Sequence, residues 1–88
     1  MNDNEVNWSK RTFAMMTDGG TWGVPRSGLI FTRRGKALVL TTRMPYDPAM
    51  PCTAEQLSEQ QQNDYDAIAK RMVAAGVEMR DETKDNAP

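Results

Sequence analysis

The chain has 88 residues, a net charge of −1, one cysteine and no histidine. That length suits one domain of the usual ~50–200 residues, with a small core and little volume for an enclosed substrate pocket. A single cysteine excludes an internal disulfide and a cysteine-based metal site, and the lack of histidine removes the commonest general base and zinc ligand.

Residues 1–7 and 80–88 are polar and aperiodic, and read as disordered tails around a single domain over 8–79. Trp8-Ser-Lys-Arg-Thr-Phe-Ala-Met-Met16 predicts a short helix. Ser9 is a good N-cap, and Trp8 and Phe13 have the spacing of a hydrophobic staple across it. Asp18-Gly19-Gly20 supplies the stop. The competing reading is a strand over 11–17 that turns into Thr21-Trp-Gly-Val24; Met and Ala favour the helix. Pro25 and Ser27-Gly28 then interrupt any regular element near Trp22.

Leu29-Ile-Phe-Thr32 and Ala37-Leu-Val-Leu-Thr-Thr42 predict a β-hairpin around Arg33-Arg34-Gly35-Lys36. Both strands carry apolar residues on both faces, as in a strand covered on two sides or an edge that meets a partner. Met44-Pro-Tyr-Asp-Pro-Ala-Met-Pro51, with three prolines, predicts a stiff extended loop. Thr53-Ala-Glu-Gln56 is a capping box that opens a long helix reaching Ala75, with Gly76 as its stop. Leu57, Tyr65, Ile68, Met72 and Ala75 fall near one face, while the wholly polar stretch 58–64 leaves the first turns poorly anchored. Val77-Glu-Met-Arg80 alternates and predicts a third strand beside the hairpin. The expected fold is therefore α+β, in the order α-β-β-α-β. Its small, mostly antiparallel three-stranded sheet is packed by one long C-terminal helix and a short N-terminal one.

Catalytic chemistry finds little support in these residues. Asp64 and Asp66 are two apart and do not share a helical face. Glu55 and Glu59 suit the helix dipole better than a cation, and Cys52 beside a helix N-terminus has no histidine to activate it. The glycines of 18–28 lack the Gly-Lys-Ser/Thr of a phosphate loop. No catalytic residue, metal ligand or cofactor site emerges. No apolar run approaches the about 18–20 residues of a membrane span, and no basic-then-apolar leader is present, so a cytoplasmic protein with no membrane partner is expected.

Charge distribution says more than net charge. Residues 1–47 hold seven Lys/Arg against four Asp/Glu, and residues 48–88 hold four against eight. The imbalance, together with arginine, tryptophan and seven methionines, points to an interaction surface. The residues expected to form it are Trp22, Arg26, Phe31, Arg33, Arg34 and Arg43. The partner expected is a protein. Nucleic acid gripped by the basic hairpin turn is the alternative, and a homodimer joined through the sheet edge is compatible with either.

The runs Asp18-Gly-Gly-Thr-Trp-Gly-Val-Pro-Arg-Ser-Gly-Leu-Ile-Phe31, Met44-Pro-Tyr-Asp-Pro48 and Thr53-Ala-Glu-Gln-Leu57 resemble small accessory or early proteins of tailed bacteriophages, over most of residues 10–79. The resemblance implies a non-catalytic protein of the host cytoplasm that binds and modulates a host enzyme such as a polymerase or nuclease. A minor structural or assembly role in the virion is a further alternative. The resemblance assigns no functional residue.

Overall fold

Tight turns join the strands of the first half of the chain, which makes those strands antiparallel, whereas a helix joins the last two and makes them parallel. The computed structural model describes residues 3–83, with side chains described from residue 7 onward. Its elements are α1 (Asp3–Met15), β1 (Thr21–Val24), β2 (Leu29–Arg34), β3 (Ala37–Arg43), α2 (Ala54–Ala74) and β4 (Glu78–Asp81). The strands form one four-stranded sheet in the order β1-β2-β3-β4, with β3 and β4 parallel.

This corrects the three-stranded sheet and the α-β-β-α-β order expected from sequence. The additional strand is Thr21–Val24, paired antiparallel with β2. Glycines before it and Pro25 after it mask its four-residue pattern, but Pro25 belongs to the turn. Ser27 and Gly28 both donate their backbone N–H to the Val24 carbonyl, at 3.2 and 2.8 Å. Gly28 has φ +68°, and a Cβ there would lie 2.3 Å from the Met44 Cβ, so the turn and the loop after β3 both require glycine. The β2–β3 hairpin turns on Gly35 and Lys36, with a positive φ at Gly35 alone, the pattern of a type II′ turn.

The N-terminal helix also departs from expectation. It begins at Asp3 rather than after Ser9, so it absorbs most of the stretch read as a tail, and Ser9 is a buried residue of its interior. At the other end β4 and the turn after it take in residues 80–83, which were also expected to belong to a tail. Residues 1–2 and 84–88 lie outside the described residues.

Register defines the core. Trp22 lies opposite Phe31 and Val24 opposite Leu29; Phe31 in turn faces Leu40, and Leu38 faces Met79. One face of the sheet thus presents Leu29, Phe31, Leu38 and Leu40, all fully buried beneath Ile68 and Met72 of α2 and Val77. Phe13 and Met16, at the end of α1, pack against the same cluster, so both helices lie on this face. Each fully buried aliphatic or aromatic side chain contributes about 1.5–3 kcal/mol of transfer free energy. On the opposite face Ala37 and Val39 are buried too, and an ion pair from Arg34 to Glu82 bridges from β2 to beyond β4 across β3.

The long helix is capped at both ends. Thr53 and Gln56 make the reciprocal capping box. At the C-terminus Val77 N–H reaches the Met72 carbonyl and Gly76 N–H reaches that of Val73, at 2.9 and 3.0 Å, completing a Schellman motif. Its buried stripe is Leu57, Gln61, Asp64, Ile68 and Met72. The polar stretch over 58–64 is therefore anchored, contrary to expectation, and the anchors are themselves polar. The Gln61 amide donates to the carbonyls of Ser27 and Met44, each at 3.0 Å, tying α2 to the β1–β2 turn and to the proline-rich loop.

Candidate partner-binding cleft

The six residues expected to form a contact surface do not form one patch. Phe31 is fully buried, stacked between Trp22 and Tyr65 with ring centroids 5.7 and 6.2 Å away. Arg33 turns inward. Its Nη1 donates to the carbonyls of Phe13 and Met16, both at 2.9 Å, its Nε donates to the Gly35 carbonyl, and its guanidinium lies 4.2 Å above the Phe13 ring. It thus brings a charged donor to two carbonyls at the C-terminus of α1, where a positive charge also complements the helix dipole. Arg34 is paired with Glu82 across the opposite face.

Arg43 is likewise committed. Its Nη2 donates to Asp81 at 2.6 Å and its Nε to Thr83 at 2.7 Å, with only 7% of the Asp81 side chain exposed. Burial by itself raises the Asp81 carboxyl pKa. Hydrogen bonds from Thr83 and Arg43, and the charge of Arg43, outweigh it and hold the group below the ordinary 3.8. Burial pushes the nearby Tyr65 hydroxyl up, and the charges of Asp81 and Asp66 add to that against the opposing influence of Arg43.

Trp22 and Arg26 do come together, in company that sequence reasoning did not choose. With Trp8 of α1 and Asp64, Ile68 and Arg71 of α2 they line a cleft of ≈ 200 Å³. Register sets Trp22 beside Phe31, and α1 brings the Trp8 ring to 6.0 Å from Trp22 at an interplanar angle of 63°. A row of rings therefore runs Trp8–Trp22–Phe31–Tyr65 from α1 across the sheet to α2, and its outer member, Trp8, is 47% exposed.

The charges of the cleft are unequal. Arg26 holds Asp64 through Nη2 at 2.6 Å and more loosely through Nε at 3.4 Å, so that carboxylate is neutralised on the protein's own account. Among the described residues the Arg71 guanidinium has neither a hydrogen bond nor an ion pair. Lys10 and Arg11 of α1 and Lys70 of α2 are also without ion pairs there. The uncommitted positive charge thus sits mainly on the helical layer, with Lys36 its counterpart at the hairpin tip. In sequence Trp8 has only the spacing of a staple, and Arg71 carries no signal of its own. The spacing Asp64, Ile68, Arg71 on one helical face was the available clue.

A second depression of ≈ 400 Å³ is lined by Gly23, Pro25, Ile30, Thr42 and Met44 among others, none of them charged. It offers apolar shape without a group to fix orientation. Among the described residues no cluster of three His, Cys, Asp or Glu could hold a metal ion, and no helix is long and apolar enough to cross a membrane. No protein-family model, curated protein or solved structure matches the chain.

Proposed function

We propose that this chain is a non-catalytic binding module that docks on another protein and modulates it, with the cleft between α1, α2 and β1 as its contact site. One observation carries the reading: a half-buried arginine with no partner of its own, Arg71, stands beside a part-exposed pair of indoles. Tryptophan and arginine are the side chains that most often dominate binding energy at protein interfaces, because a desolvated indole or guanidinium gains much on meeting a complementary group. A guanidinium already hydrogen-bonded at home, such as that of Arg33 or Arg43, gains far less. The bacteriophage resemblance makes a host polymerase or nuclease the first partner to test.

Nucleic-acid binding through the hairpin turn draws less support, because Arg33 and Arg34 are engaged within the molecule and leave Lys36 as the free cation of that turn. Affinity purification from host lysate tests the reading. A specific partner should be retained by the wild type and by Arg34→Ala, and lost with Trp8→Ala or Arg71→Ala. Retention that ignores both cleft substitutions would remove the cleft from the account.

A further inference from the structure

We propose that the cleft accepts an acidic peptide segment, in which a large apolar side chain enters beside Trp8 and Trp22 and a neighbouring Asp or Glu carboxylate pairs with Arg71. This rests on the binding-module reading and names the chemistry of what is bound. The cleft's ≈ 200 Å³ lies below the roughly 300–1,000 Å³ of small-molecule sites, and is on the scale of a single anchoring side chain. Its apolar wall is supplied by Trp8, Trp22, Val24 and Ile68.

Charge selects the neighbour of that anchor. The lining holds two guanidinium groups and one carboxylate, and Asp64 is already satisfied by Arg26 at 2.6 Å. What remains is one positive charge at Arg71, the complement of one carboxylate. Lys10, Arg11 and Lys70 lie on the same two helices without ion pairs among the described residues, but so do Glu55, Glu59 and Asp66 of α2, so the preference for an acidic segment rests on Arg71 within the cleft. A phosphate chain fits less well, since successive phosphates call for several free cations along a groove and the lining offers one, Arg71. The two indoles, inclined at 63°, make a corner rather than a platform for successive stacked bases.

Selection from a random library of short peptides on the intact protein tests this directly. Enriched peptides should place an apolar residue within two positions of Asp or Glu. Their affinity should fall about tenfold or more in Trp8→Ala and in Arg71→Ala, the loss of a contact worth about 1.4 kcal/mol. Arg71→Glu should redirect selection toward peptides bearing Lys or Arg, a change that simple loss of folding could not produce. Enriched peptides that need Trp8 but carry no acidic residue and ignore Arg71→Ala would overturn the acidic chemistry and leave the binding cleft standing. No enrichment, or peptides indifferent to both substitutions, would overturn the cleft itself. Arg71-dependent binding of single-stranded oligothymidine in place of peptide would overturn the choice of a protein partner.

Discussion

Arg33 and Arg71 carry the same guanidinium into opposite situations. Arg33, in the basic hairpin, donates to three backbone carbonyls and covers the Phe13 ring. Arg71, on the acidic half of the chain, stands in a cleft with no partner among the described residues. The hairpin of this small domain is dense in arginine because arginine there supplies hydrogen bonds and ion pairs that join α1, β2 and β4. A local run of positive charge in sequence therefore identifies where cations lie along the chain and says nothing of how many remain free. Freedom depends on what the fold brings opposite each one.

That difference can be broken at several points. The largest effect belongs to Phe31, which sequence placed on the contact surface and the fold places in the core: Phe31→Ala should cost about 3–5 kcal/mol, read by urea denaturation. A loss below about 1 kcal/mol would mean that the ring is not a core element. Next comes Arg33→Ala, which strips two carbonyls at the end of α1 of a charged donor and should cost about 2–3 kcal/mol. Arg71→Ala in the same measurement should remain within about 0.5 kcal/mol of wild type, as an uncommitted surface group does. Equal losses from the two arginines would erase the contrast.

The fold was legible in sequence wherever a local rule governed. The capping box at Thr53, the stop at Gly76, the hairpin around Gly35 and the alternation of Val77 and Met79 each rest on residues within a few positions of one another. What escaped was non-local or polar. β1 is four residues long and needs β2 to be recognised as a strand. Gln61 and Asp64 sit on the buried stripe of α2, yet their polarity disguises a spacing that matches Leu57, Ile68 and Met72. Their partners, Ser27, Met44 and Arg26, lie 17 to 38 residues away. For the same reason the sequence marks Trp22 and Arg26 as contact residues but not Trp8 and Arg71, which are remote from them in the chain.

The committed pair Arg43–Asp81 gives a pH signature. The Asp81 carboxyl binds its proton less tightly in the fold than in the unfolded chain, because the hydrogen bonds and charge around it outweigh its burial. Its contribution to stability is therefore whole above pH 3.8 and is lost as pH falls through the lower folded value. Asp81→Asn should lower stability at neutral pH and flatten the decline below pH 4, the latter on the order of the titration of one carboxylate. An unchanged acid limb would show that the pair is not coupled to folding. No loss is expected at Ser27, whose fully buried hydroxyl has no hydrogen-bond partner among the described residues. Ser27→Ala should leave stability unchanged or raise it by up to about 1 kcal/mol, and a clear loss would show the hydroxyl engaged.

The most direct test of the central claim is the affinity of one library-selected peptide for two single variants, Arg71→Ala and Arg34→Ala, measured side by side by calorimetry. Arg71→Ala should weaken binding about tenfold or more while Arg34→Ala leaves it at the wild-type value. Binding that survives Arg71→Ala and is lost with Arg34→Ala would return the contact surface to the hairpin and contradict the account.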